Sequence, residues 1–386
     1  MTVTTPRGFR AAGVTAGLKS TGALDLALVV NDGPAHAAAG VFTRNKVKAA
    51  PVLWSQQVLT TGRLRAVVLN SGGANACTGP EGFQTAHATA EKAADVLGCA
   101  PLEVAVCSTG LIGKQLPREA VLAGVEAAAE ALGDDTASAL AAATAIMTTD
   151  TVAKQAAHTD GTGWSIGGTT KGAGMIAPSM ATMLTVLTTD AVVDAPVLDE
   201  ALRAAVRVSF DRLDVDGSMS TNDTVLVLAS GASGVAADPI TFTTALTTVC
   251  RDLAQQMQAD AEGVTKRITV RVTGAATEDD AVTVARTIAR DSLVKTAIFG
   301  SDANWGRIAA AAGYADAAVD PDRLDITVNG VLLCRGGVAS GGRTDADLSG
   351  KEVLVEVALG LGAGAADILT TDLSHAYVEE NSAYPT

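Results

Sequence analysis

Short aliphatic and β-branched runs alternate with alanine-rich stretches of helical period along most of this 386-residue chain, and that alternation confines it to the α/β class. Strand-like runs recur at Leu26–Val30, Arg65–Asn70, Glu103–Cys107, Thr224–Leu228, Ile268–Val272 and Val353–Val357. Residues 118–131 place apolar groups at helical spacing, after Pro117 and before Gly133 as start and stop signals. Apolar residues make up 48% of the chain but aromatic ones only 3%, so the core must be built from Ala, Val and Leu. Such small side chains suit helices packed closely on sheets. A chain of this length buries a large core and divides into two or three domains. Segment 276–350 reads as a smaller α/β domain, with a helix around Asp279–Arg290, a turn at Gly300–Gly306, a short Ala-rich helix and a strand around Asp325–Asn329. The main domain is then expected over about 1–275 plus 351–386.

Charge and composition exclude several functions. A net charge of −14 lacks the basic footprint that nucleic acid or anionic membrane surfaces require, so neither is expected as a partner. The N-terminal segment has no basic-then-apolar signal pattern and no stretch approaches membrane-spanning length, which predicts a cytoplasmic protein. Cys77, Cys99, Cys107, Cys250 and Cys334 are odd in number and scattered, which predicts reduced, small, buried thiols rather than a disulfide framework or a zinc site. His36, His87, His158 and His375 lie in no nucleophile-elbow or metalloprotease pattern. In Asp214-Val-Asp216-Gly217 the glycine comes too early for a calcium loop and the closing Glu is missing, so a turn is expected and no metal.

The densest chemical signal is Lys171-Gly-Ala-Gly-Met-Ile-Ala-Pro-Ser-Met-Ala181-Thr182-Met-Leu184, where a small residue meets a hydroxyl residue as a Gly/Pro loop enters an apolar run. Ala181–Thr182 reads as a self-cleavage site. Once that bond breaks, the Thr182 hydroxyl is a nucleophile and its own α-amine the adjacent base. A free α-amine has a pKa of about 7.7–8.0 against about 10.4 for lysine, so near neutrality an appreciable fraction is an unprotonated base. In the uncut chain that nitrogen is an amide and cannot accept a proton. Two other readings compete. One is a plain loop entering a strand, with Thr182 merely suited to β structure. The other takes Gly172-Ala-Gly174-Met-Ile-Ala177 as a dinucleotide turn; it needs a strand before and a helix within, whereas Ser-Ile-Gly-Gly-Thr-Thr precedes and Pro178 disfavours helix at Ala177.

Further motifs run from end to end: Gly40-Val-Phe-Thr43, Leu69 through Gly79, Ser108-Thr-Gly-Leu-Ile-Gly113, Ile146-Met-Thr-Thr-Asp150, Lys171 through Leu184, Asp216-Gly217, Ser220-Thr-Asn-Asp223, Asn304-Trp-Gly-Arg307 and Asn381 through Thr386. In these the chain resembles the ornithine acetyltransferases, or glutamate N-acetyltransferases, of arginine biosynthesis. Gly73 departs from a frequent Asn, and Ser218-Met219 from a frequent Asp-Thr pair. The resemblance implies a sandwich of two sheets between helix layers, of the N-terminal-nucleophile type, with a smaller α/β domain carried by the second fragment. It implies self-cleavage into an α chain, 1–181, and a β chain, 182–386, assembled as an α₂β₂ heterotetramer. It also implies acetyl transfer from N²-acetylornithine to glutamate through Thr182. Thr109 and Gly110 would form the oxyanion hole, and Thr148, Lys171, Thr182, Glu262, Asn381 and Thr386 would bind substrate. Read without the resemblance, Ser108-Thr-Gly is a turn, Thr148 a helix-terminus residue, Lys171 and Glu262 solvated charges, and the C-terminal tail frayed.

The scheme calls for no cofactor, and no residue pattern decides whether acetyl-CoA also serves as donor. An N-terminal-nucleophile amidase or aminopeptidase, in which water resolves the acyl-enzyme, is the alternative enzyme. A non-catalytic amino-acid-binding protein is the alternative outside enzymes.

Overall fold

The computed structural model describes residues 2–177 and 183–383; Ala181, Thr182 and Thr386 lie outside the described residues. The chain divides into two compact units.

The first unit takes residues up to 211 and 218–257. Its strands are β1 (Phe9–Val14), β2 (Leu26–Asn31), β3 (Ala37–Phe42), β4 (Ala66–Asn70), β5 (Val104–Ser108), β6 (Lys154–Thr159), β7 (Ser165–Lys171), β8 (Leu184–Thr189) and β9 (Thr224–Ala229). Its helices are α1 (Ala50–Val58), α2 (Gly79–Leu97), α3 (Arg118–Glu130), α4 (Thr136–Ala145), α5 (Ala195–Arg207) and α6 (Pro239–Ala259), the last running just past the unit's edge. One sheet has the order β1-β2-β4-β5, the other β3-β9-β8-β7-β6. Leu28, Val67 and Val106 of the first share one apolar core with Val186 and Leu226 of the second. Helices α1 to α4 lie on the first sheet and α5 and α6 on the second, so the expected two-sheet sandwich between helix layers is what forms. Helix α3 ends one residue short of the predicted stretch.

One sequence expectation is corrected here. Ser165–Lys171, the Gly-containing segment judged unlike a strand, is β7, buried at every position between β6 and β8. Glycine is required for space at 167, where a Cβ would stand 2.2 Å from the carbonyl oxygen of Thr2; at 168 a Cβ would stand 2.7 Å from Leu187 Cδ2, the tip of a side chain. No helix forms over Gly172–Ala177, so the dinucleotide turn fails on its second requirement.

The second unit takes residues 212–217 and everything described from 258 onward. Its strands β10 (Arg267–Ala275), β11 (Asp325–Val328), β12 (Val331–Arg335), β13 (Val338–Ala339), β14 (Glu352–Ala358) and β15 (Gly364–Thr371) form one sheet in the order β13-β12-β11-β14-β10-β15. Strand β10 alternates buried Ile268, Val270 and Val272 with outward Thr269 and Arg271, and the apolar side meets α7 (Glu278–Arg290), α8 (Ser292–Phe299) and α9 (Trp305–Gly313). The α10 helix spans His375–Ala383. The unit is therefore larger than segment 276–350. Strand β10 pairs in register with β14 and with β15, so strands assigned to the main domain from sequence belong to this sheet.

Asp214-Val-Asp216-Gly217 is the turn expected, with Gly217 at φ +73° and its N–H on Asp214 Oδ1 at 3.2 Å. The thiols are free, but only Cys107, Cys250 and Cys334 are buried; Cys99 is half-buried and Cys77 exposed, against the expectation that all would be covered.

Candidate active site

Strand β5 ends in a turn whose polar groups are held by remote neighbours. The Thr109 N–H donates to the Asn70 carbonyl at 2.9 Å, and its own carbonyl accepts from Gly73 N at 3.0 Å. Ser108 Oγ donates to Asn70 Oδ1 at 2.6 Å, while Asn222 Nδ2 donates to the carbonyls of Ser108 and Ala74 at 2.8 and 2.6 Å. With its amide engaged, Thr109 has its hydroxyl to offer. Gly110 sits at φ +121°, and a Cβ there would stand 2.6 Å from Gly73 N, so glycine is needed on both counts. Gly73, the departure from the family's frequent Asn, faces Leu116, whose Cδ2 would lie 2.7 Å from an added Cβ. A larger residue there would have to displace the tip of that side chain.

Thr148 and Asp150 follow the end of α4, and Lys171 closes β7. Lys171 Nζ donates to Thr148 Oγ1 at 2.8 Å and reaches Thr109 Oγ1 at 3.4 Å. Three of the residues singled out in the sequence therefore meet. None is a solvated surface group in the sense expected of an isolated lysine: Lys171 is 1% exposed. Asp150 is the anion among them, 3.9 Å from Lys171 Nζ and 2.6 Å from Lys154 Nζ. Burial pushes its carboxyl up, but Lys171, Lys154 and the Gly172 N–H outweigh that and hold it at about 2.

Lys171 is paired in register with Leu184, so the ends of the Gly172–Met183 connection sit side by side. Met183 N donates to Asp223 Oδ1 at 3.1 Å. Asp223 is fully buried, and among the described residues its Oδ2 makes no hydrogen bond of good geometry. Burial raises its carboxyl well above the usual range, against the Met183 N–H, the nearby Ser220 and Thr43 hydroxyls and Lys171. Asp150, Lys154 and Asp223 had no role in the sequence reading. A carboxylate opening the apolar run of β9 was the signal available for Asp223, because the strand that follows carries it inside.

In the second unit Asn381 Nδ2 donates to Glu262 Oε2 at 2.9 Å, and Glu262 is only 9% exposed. Those two assigned residues are together, one ahead of β10 and one on α10. The cleavage pair Ala181–Thr182 and the terminal Thr386 fall outside the described residues. No helix among the described residues is long and apolar enough to cross a membrane.

Comparison with known proteins bears out the resemblance. The ArgJ family model matches residues 10–386. The arginine biosynthesis bifunctional protein ArgJ of Mycolicibacterium paratuberculosis is 62% identical over 387 aligned residues, covering 99% of this chain and 96% of its own. Its counterpart in Streptomyces coelicolor is 59% identical over the whole of both chains. The crystal structure of an ornithine acetyltransferase complexed with ornithine, from Mycobacterium tuberculosis, is 60% identical with a TM-score of 0.46, covering 47% of this chain and 96% of that one. With a family model matched over nearly its full length and relatives this similar from end to end, the chain belongs to the ArgJ family.

Proposed function

We propose that this chain moves an acetyl group from N²-acetylornithine to glutamate, giving ornithine and N-acetylglutamate, through an acetyl ester on Thr182. The observation that carries the reading is the buried Lys171 ammonium held between the Thr148 and Thr109 hydroxyls, at the strand end where the loop toward residue 182 begins. A desolvated ammonium there suits the α-carboxylate that donor and acceptor both bring.

Cleavage between Ala181 and Thr182 frees the Thr182 α-amine. That amine takes the hydroxyl proton as Oγ attacks the acetyl carbonyl. The oxyanion is met by Thr109 Oγ1 and the Gly110 N–H, donors of a kind worth roughly 2.7–4 kcal/mol each in the transition state. Collapse transfers the proton to the departing ornithine amine. The α-amine of glutamate then attacks the ester carbon, its proton passes by way of the Thr182 α-amine to Oγ as the bond between the acetyl carbon and Oγ breaks, and N-acetylglutamate leaves with the Thr182 hydroxyl restored. Glu262, bonded to Asn381, supplies the anion for a substrate amine. No cofactor enters these steps. Fragments 1–181 and 182–386 assemble as an α₂β₂ heterotetramer in the cytoplasm, the tail carrying Asn381 and Thr386 to the substrate.

Denaturing electrophoresis and a product assay test this together. Wild type should show two fragments and convert acetylornithine plus glutamate to acetylglutamate; Thr182→Ala should show one full-length band and no product. Full turnover by that variant, or a single band from active wild type, overturns the covalent scheme. Free acetate without acetylglutamate would favour the amidase. Replacing acetylornithine by acetyl-CoA in the same assay decides the second donor.

A further inference from the structure

Lys171 and Thr148 are held by one buried carboxylate that has no assigned part in the reaction. Asp150 accepts the Thr148 N–H at 3.0 Å through Oδ2 and the Gly172 N–H at 2.7 Å through Oδ1. It thereby ties the stretch after α4 to the end of β7. Lys154 Nζ takes the short contact to Oδ1, 2.6 Å, and leaves Lys171 Nζ at 3.9 Å from Oδ2. The side chains of both lysines and of Asp150 are at most 2% exposed.

The division of distances has a consequence. An ammonium this deep needs an anion nearby to stay charged. Pressed directly against that anion, it would give one donor and much of its field to the pair. Lys154 engages the carboxylate at close range, so Lys171 feels its charge while donating to the Thr148 hydroxyl at 2.8 Å.

We propose that Asp150, anchored by Lys154, is the positioning residue that sets the Lys171 ammonium and Thr148 against each other, so that the pair receives the α-carboxylate of both amino-acid substrates. This rests on the assignment of Lys171 and Thr148 to substrate binding. Other charged groups near the cluster are Lys19, Asp25 and Asp223. Lys19 donates to the carbonyls of Leu24 and Met147, and Asp25 accepts the N–H groups of Ala16, Leu18 and Lys19. Asp25 is thus engaged by its own loop and does not replace Asp150.

Steady-state kinetics and calorimetric titration of ornithine on the assembled enzyme, from about pH 6 to 9, test the proposal. In Asp150→Asn the amide still accepts a backbone N–H, but the charge is gone, and Lys19, Lys154 and Lys171 then repel one another. KM for both substrates and the Kd of ornithine should rise about ten- to hundredfold at the alkaline end, the usual contribution of a charged hydrogen bond. They should move back toward wild type at the acid end, where the lysine regains its proton. The effect on kcat should be smaller, since carboxylate binding serves ground and transition states alike. Asp150→Glu should recover part of the loss. Should Asp150→Asn fail to fold, Lys154→Met is the second variant: Asp150 is then free to close on Lys171, and KM should rise with a flat pH profile. Wild-type KM and Kd at every pH in the folded variants overturn the proposal, as does a uniform fall in kcat with no pH trend, which marks a structural role alone. Lys171→Met separates the two readings. If it leaves KM unchanged, the substrate-binding assignment has failed; if it raises KM while Asp150→Asn does not, only the role of Asp150 has.

Discussion

Burial governs what the individual polar residues of this site can do. Asp223 shows it most plainly, a carboxyl with no exposure, one oxygen on Met183 N and the other without a well-formed hydrogen bond among the described residues. Removal from water raises its proton affinity well above that of an ordinary carboxylate. A carboxyl that holds its proton more tightly folded than unfolded imposes no penalty at low pH, and destabilises the fold increasingly as pH climbs past the unfolded value of about 4. Asp223→Asn carries no such charge. Its melting temperature relative to wild type should therefore rise between about pH 4 and pH 8, as thermal unfolding along that series would show. A difference constant across the series would mean that the buried charge is not what strains this position.

At the scale of elements, β7 does the most with the least conventional sequence. Its two central glycines let it lie between β6 and β8 with the Thr2 carbonyl against one face and Leu187 against the other, and it delivers Lys171 at its end. Gly167→Ala should lower unfolding stability by about 1–3 kcal/mol, because the atom it would meet is backbone, which gives way poorly. Gly161→Ala, with nothing within 4 Å of the added Cβ, should stay within about 0.5 kcal/mol of wild type. Urea denaturation of the two variants side by side makes the comparison; equal losses would show that the close approach at Gly167 relaxes.

For the whole molecule, buried charges in the two units respond to opposite ends of the pH scale. Asp150, held at about 2, contributes stability that is present above about pH 4 and lost as pH falls toward 2. Lys295, in the second unit, donates to the Val215 and Thr371 carbonyls and to Thr370 Oγ1. Burial lowers its ammonium to about 8, against the pull of Asp214, Asp216 and Asp372. Between about 8 and the ordinary 10.5 the unfolded chain binds that proton and the folded one does not, so stability should rise with pH there, by as much as about 3 kcal/mol. Lys295→Met should abolish that rise. Chemical denaturation of both proteins at about pH 7.5 and pH 10 checks it, and parallel behaviour would place the titration elsewhere.

The sequence by itself determined the class of fold, the position of seven of the fifteen described strands, the turn at Asp214–Gly217 and the family. These depend on period, on turn residues and on ordered motifs, all legible in a window of neighbours. It also marked Thr109, Thr148 and Lys171, whose meeting the structure displays. Tertiary structure alone decided that β7 is a strand, that β10 and β14 belong with the smaller unit, and that Asp150 and Lys154 stand beneath Lys171. The reason is common to all three. A glycine-rich segment becomes a strand, and a lysine becomes a buried ammonium, only through partners brought from far along the chain, and local propensity carries no record of them.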